Sequence, residues 1–110
     1  MYAERLIDIG RRSALERVAH FLLELLVRLR IIGLADDCSF RMPLTQELIG
    51  DILGLTSVHV SRMLRQLRMD GFLAIEGQQV TIRNIEGLSA LADFERTYLD
   101  HFRMSEALFP

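Results

Sequence analysis

Three arginines lie in a stretch that contains no acidic residue, SVHVSRMLRQLRM at positions 57–69. At about 100° per residue, a helix over this stretch carries Arg62 and Arg65 on the side opposite Val60 and Leu64. The guanidinium fork of arginine matches the O6 and N7 acceptors of guanine in the major groove of DNA. The stretch therefore favours a helix that reads DNA bases, and a merely solvated arginine face is the alternative.

The residues around this stretch predict a helix-turn-helix. Positions 45–67, TQELIGDILGLTSVHVSRMLRQL, indicate two short helices joined by a tight turn. Thr45 and Thr56 can each cap a helix, and Gly54 suits the left-handed backbone of the turn. We expect Gly50 on the inner side of the first helix, where a missing Cβ lets the second helix cross closely. The apolar inner face of the first helix is predicted to be Leu48, Ile49, Ile52 and Leu53.

A long helix is predicted upstream of the pair, over residues 13–30. Ser13 and Glu16 have the spacing of a capping box, and the apolar residues that follow cover more than one side of the helix. We expect one side to pack under the helix-turn-helix and the other to meet a second subunit or domain.

A wing is predicted downstream of the pair. Two short apolar runs, Phe72–Ile75 and Val80–Ile82, flank a turn at 76–79 and are typical of a β-hairpin. Alternation of Phe40 and Met42 predicts another strand that could pair with it, and Asn84 can cap a last helix over 85–101. The predicted fold class is mostly α with a small antiparallel β-sheet, a winged helix-turn-helix.

Charge is unevenly distributed along the chain. The formal net charge is -2 and the pI is about 5.9, so affinity for DNA must come from locally placed arginines and not from a general basic coat. Residues 86–110 carry two arginines against five acids, and we expect this segment to face away from DNA.

Other classes of site are weakly represented. Cys38 is the single cysteine, which excludes an internal disulfide, and the three histidines are too scattered to predict a metal site. No paired carboxylates, activated nucleophile or phosphate-binding glycine loop predicts an enzyme. The apolar run at 21–27 contains Glu24 and is too short to cross a membrane, so we expect a cytoplasmic protein.

The order of these elements resembles a known family, the C-terminal DNA-binding domain of the Crp/Fnr superfamily of bacterial transcription regulators. The similar segments are the helix SALERVAHFLLEL, the lead-in RMPLT, the pair ELIGDILGLTSVHVSRMLRQL, the closing DGFL and the wing AIEGQQVTI. The resemblance runs from about Gly10 to Phe94. It implies that the recognition helix, 57–69, lies in the major groove and that a homodimer binds a two-fold-related site on double-stranded DNA.

The resemblance also implies roles for individual residues. Arg62 matches the arginine that contacts guanine, whereas many members carry a glutamate, which accepts a hydrogen bond from cytosine, where this chain has Val58. We expect a different base pair to be tolerated there, since valine methyls can pack on a thymine methyl. Base contact is expected from Ser57, Val58, Ser61 and Arg62. Contact with the DNA backbone is expected from Thr45, Gln46, Thr56, His59, Arg65 and Gln78.

The resemblance further predicts how the chain is organised. Residues 1–9 resemble the end of a dimerisation helix and hinge, and 10–110 the winged helix-turn-helix domain, with its core at 45–70 and its wing at 72–83. The family's N-terminal sensor domain has no counterpart here, so the effector is unknown and no cofactor is expected. RNA polymerase is a candidate partner. A winged-helix module that binds protein without DNA is the alternative, because one fold serves both functions.

Overall fold

Residues 13–92, the part of the chain that the computed structural model describes, form four helices and one three-stranded sheet. The elements in chain order are α1 (Ala14–Ile31), β1 (Ser39–Arg41), α2 (Gln46–Leu53), α3 (Ser57–Met69), β2 (Leu73–Glu76), β3 (Gln79–Ile82) and α4 (Ile85–Ala92). This confirms the predicted class, mostly α with a small antiparallel sheet. The predicted hinge at 1–9 and the last helix beyond Ala92 lie outside the described residues.

The predicted N-cap of α1 is confirmed, and a glycine turn ends the helix. The Ser13 hydroxyl accepts a hydrogen bond from the Glu16 amide at 3.1 Å and donates to its carboxylate at 3.1 Å. At the other end Gly33 has φ +78°, and the amides of Gly33 and Leu34 donate to the carbonyls of Arg30 and Leu29. This pair of hydrogen bonds is a Schellman motif, which ends the helix at Ile31.

Helix α1 forms the centre of the core. Its fully or nearly buried residues are Val18, Ala19, Leu22, Leu23, Leu26, Val27 and Leu29. They contact both α3 and α4. Burial on more than one side is therefore confirmed, and α4 of the same chain covers part of the surface that was expected to meet a second subunit or domain.

Helices α2 and α3 meet at a tight turn. Thr45 and Thr56 cap them as predicted, each accepting through its hydroxyl from the amide three residues on, at 3.2 and 3.0 Å. Gly54 has φ +72° and ends α2. Arg17 donates through Nη1 to the Leu53 carbonyl at 2.8 Å, which ties α1 to the last turn of α2. Two threonine caps, the left-handed Gly54 and one arginine hydrogen bond thus hold the helix-turn-helix in place.

The predicted inner face of α2 was wrong at two of its four positions. Ile49 is 2% exposed and Leu53 is half-buried, whereas Leu48 and Ile52 are 48% and 58% exposed. The core contact of this two-turn helix centres on Ile49 and Gly50. At about 100° per residue, Leu48 lies on the far side of Ile49 from Gly50, so a narrow contact leaves it outside.

The wing is an antiparallel hairpin extended by a third strand. The strand order is β1-β3-β2, and Val80 of β3 lies between Phe40 of β1 and Ile75 of β2. Each wing strand includes one more residue beside the turn than predicted, since Glu76 pairs with Gln79. The connection is therefore only Gly77 and Gln78, and Gly77 takes φ +60°. The predicted pairing of a strand at Phe40 with the wing is confirmed.

Candidate nucleic-acid interface

Helix α3 has one buried face and one exposed face. Val60, Leu64 and Leu67 are buried against α1 and α2. On the other side Val58 and Met69 are 58% and 72% exposed. The exposed residues of α3 are Val58, Ser61, Arg62, Arg65, Gln66, Arg68 and Met69. The predicted orientation of Arg62 and Arg65 away from the core is therefore confirmed.

The exposed face of α3 is positively charged. Within residues 13–92, none of Arg62, Arg65 and Arg68 forms an ion pair with a carboxylate. The acid that follows them, Asp70, accepts hydrogen bonds from Gln66 Nε2 at 3.0 and 3.1 Å. Since no carboxylate of residues 13–92 pairs with them, the three guanidinium groups keep their donors for an external acceptor.

The start of α3 adds further donors to this face. The Thr56 side-chain oxygen accepts from the His59 amide, so its hydroxyl hydrogen can still be donated outward. The first amides of a helix have no intrahelical acceptor and favour an anion. Among the predicted base contacts, Val58, Ser61 and Arg62 are exposed and Ser57 is half-buried; His59 is also half-buried. The start of α3 can thus approach a ligand closely.

The N-terminal end of α2 lies between α3 and the wing. Gln46 lines a groove with Thr45, Gly77 and Gln78, and it also lines a second, polar groove with Ser61 and Arg65. All of these residues except Gly77 were predicted to contact DNA. The fold therefore brings five of the ten predicted site residues to two adjoining grooves: Thr45, Gln46, Ser61, Arg65 and Gln78.

One polar residue beside the wing turn was missed by the sequence analysis. Arg41 of β1 is exposed, and its Nε donates to Gln78 Oε1 at 2.9 Å. The predicted pairing of a strand around Phe40 with the wing contained the signal, since pairing of Arg41 with Gln79 places Arg41 next to the turn. The exact register was needed to see it.

Two other types of site are absent from the residues that the structure describes. In the described part of the chain no group of three or more histidine, cysteine or acidic residues could hold a metal ion, and no helix has the length and apolarity to span a bilayer. Cys38 is a half-buried free thiol. The grooves beside α3 and the wing, which bring together five of the predicted contact residues, are the candidate site.

The sequence pattern of the Crp-like helix-turn-helix domain matches residues 16–91. The match covers α1, the α2–α3 pair, the wing and nearly all of α4. The chain belongs to this family. Membership implies DNA binding and transcription regulation for this Crp-like domain.

Individual relatives agree with this assignment. The Crp-like domain is 34% identical over 93 residues to the fumarate and nitrate reduction regulatory protein of Salmonella typhimurium, covering 84% of this chain and 37% of the relative. It is 35% identical over 89 residues to the transcriptional activator protein FnrA of Stutzerimonas stutzeri, covering 81% and 36%. These relatives are regulators, which supports a non-enzymatic role. The chain spans little more than a third of their length.

A solved structure shows the same fold. FixK2 from Bradyrhizobium japonicum superposes with a TM-score of 0.66 at 40% sequence identity, over 81% of this chain and 43% of FixK2. The Crp-like domain therefore corresponds to one part of that longer chain.

Proposed function

We propose that this Crp-like domain binds double-stranded DNA sequence-specifically, with α3 lying in the major groove. The observation that carries the proposal is the exposed face of α3, with three arginines that form no ion pair within residues 13–92. The major groove is wide enough to admit an α-helix and displays a distinct pattern of donors and acceptors for each base pair. A surface of this charge on a chain with net charge -2 points to local recognition of DNA.

Base recognition is assigned to the first two turns of α3. Arg62 donates through its fork to the O6 and N7 of a guanine, and Ser61 contacts a neighbouring base. Val58, which lies one turn before Arg62, packs on a thymine methyl. Ser57 is small, so the helix start can approach the base edges closely.

Backbone contacts position α3 in the groove. Thr56 and His59 meet a phosphate at the start of α3, and Thr45 and Gln46 meet one at the start of α2. Arg65 and Gln78 extend these contacts along the groove and onto the wing. Such contacts contribute affinity and register but do not select a sequence.

The longer regulator would act as a homodimer in the cytoplasm. A two-fold symmetric protein presents two recognition helices one helical turn of DNA apart, so its site is expected to be a pseudo-palindrome. RNA polymerase is the proposed partner in regulation. The effector belongs to whatever domain accompanies this one in the longer protein.

Titration of the domain with labelled duplexes tests the proposal. We expect tighter binding to a selected duplex than to a scrambled duplex of equal length, with the affinity for both falling steeply between low and physiological salt. No binding to any duplex at low salt would contradict DNA recognition and favour the protein-binding alternative.

A further inference from the structure

The side chains of Arg41 and Gln78 form a polar pair at the tip of the wing. The Nε of Arg41 donates to Gln78 Oε1 at 2.9 Å, and the Gln78 carbonyl accepts from the Met42 amide at 2.8 Å. Two hydrogen bonds thus link the last residue of β1 and the residue that follows it to the turn between β2 and β3. Both side chains are exposed, so the pair is held in place but open to solvent.

The pair leaves its remaining hydrogen-bond donors unused. Within residues 13–92, neither terminal guanidinium nitrogen of Arg41 and neither hydrogen of the Gln78 amide has an acceptor. Glu76 lies in the same shallow hollow but makes no ion pair with Arg41. The result is a cationic group whose two terminal nitrogens, like the neutral amide donor beside them, have no acceptor in the described part of the chain.

The position of the pair connects it to the proposed DNA surface. Gln78 lines the groove that also contains Thr45 and Gln46, and Gln46 continues into the groove with Ser61 and Arg65. The pair therefore lies at the outer end of a row of polar side chains that begins on α3. A duplex with α3 in its major groove would continue past this end of the row.

We propose that Arg41 and Gln78 together bind one DNA phosphate that lies outside the major-groove half-site. The proposal rests on the DNA binding argued above. A guanidinium group binds phosphate oxygens through paired, charge-assisted hydrogen bonds. Because Gln78 accepts from the Nε of Arg41, both terminal nitrogens of Arg41 are left to face the phosphate. The site adds affinity and extends the footprint, without selecting a base.

The test compares Arg41→Ala with a matched arginine variant, Arg83→Ala. Arg83 is also exposed and follows β3 at the end of the hairpin away from the turn, so its removal changes the net charge equally. On a duplex with long flanks, Arg41→Ala should weaken binding about three- to tenfold and lower the salt slope by about one. Arg83→Ala should stay within about twofold with an unchanged slope.

Duplex length separates a phosphate contact from a general structural effect. On a duplex trimmed at the edge of the half-site, wild type and Arg41→Ala should bind equally, since the flanking phosphate is missing. An equal loss on trimmed and long duplexes would overturn the site, as would equal losses for Arg41→Ala and Arg83→Ala. Failure of the wild type to bind either duplex would instead overturn the DNA-binding function itself.

Two further arms test the pairing and the chemistry. Gln78→Ala should weaken binding to the long duplex. The double variant, Arg41→Ala with Gln78→Ala, should lose less affinity than the product of the two single-variant fold-losses. The loss for Arg41→Ala should be the same with A·T-rich and G·C-rich flanks. A loss confined to A·T-rich flanks would overturn phosphate binding in favour of minor-groove insertion.

Discussion

The carbonyl oxygen of Leu55 occupies the space beside Gly50 in which a side-chain Cβ would lie. The Leu55 amide also donates to the Gly50 carbonyl at 2.8 Å. The close approach at this glycine was predicted to come from the second helix, but the closest neighbour is the backbone of the turn that precedes that helix. The angle between α2 and α3 thus depends on the absence of one carbon atom.

Gly50→Ala should destabilise the domain and weaken DNA binding. The methyl group must displace the turn backbone, and overpacking of this kind costs about 1–3 kcal/mol. Gly33→Ala is the control, because Gly33 has φ +78° but an added Cβ has no neighbour there. It should cost about 1 kcal/mol from backbone strain alone. Denaturant unfolding and duplex titration measure both, and loss of DNA affinity in Gly33→Ala equal to that in Gly50→Ala would contradict the prediction.

Ile49 and Ile52 should differ sharply when each is replaced by alanine. Ile49 is 2% exposed, and loss of its side chain leaves a cavity that costs about 2–5 kcal/mol. Ile52 is 58% exposed, so Ile52→Ala should cost less than about 1 kcal/mol. Unfolding free energies from urea titration report the difference. Comparable costs at the two positions would mean that α2 is rotated from the orientation described.

The capping and DNA-binding roles of Thr56 can be separated by two substitutions. Thr56→Ala removes the acceptor for the His59 amide and should cost about 1 kcal/mol of stability. Thr56→Asp restores a capping acceptor, so its stability should be close to wild type. Because the aspartate charge repels a phosphate, its affinity for DNA should fall below that of Thr56→Ala. Thermal unfolding and duplex titration provide the two readouts. Wild-type affinity in Thr56→Asp would remove Thr56 from the interface.

Alanine substitutions at Arg62 and at Arg65 should weaken DNA binding in different ways. Arg62→Ala should cost about 1–3 kcal/mol of binding free energy and relax the preference at one base pair. Arg65→Ala should weaken all sequences alike and lower the salt slope by about one. Competition titrations against single-base variants of the site at two salt concentrations distinguish these effects. The same loss of discrimination in both variants would contradict the division between base and phosphate contacts.

Local signals in the sequence predicted most of the fold. The hydroxyls of Thr45 and Thr56 cap backbone amides three residues on, and Gly54 allows the left-handed turn at its own position. Their roles could therefore be inferred from the neighbouring residues in the sequence alone. The exposed face of α3 followed equally well from helical periodicity, because the buried Val60 and Leu64 fix its orientation. These features depend on nothing distant in the chain.

The remaining features depend on which elements meet, and this is not encoded locally. Ile52 has the spacing of a core residue but lies beyond the narrow contact of α2, and α4 covers a side of α1 that seemed available to a second subunit. The pairing of Arg41 with Gln78 joins residues 37 positions apart and requires the strand register. Tertiary contacts decided each of these cases.

The central claim is that the exposed face of α3 reads bases. Selection of binding sites from a random pool of duplexes tests it most directly. Wild type should enrich one half-site that contains an invariant guanine for Arg62, and no strict cytosine at the pair opposite Val58, because valine cannot accept the hydrogen bond that a cytosine amino group donates. The same selection with Arg62→Ala should lose the guanine and keep the other positions. A pool that gains no common sequence, or a strict cytosine opposite Val58, would contradict this account.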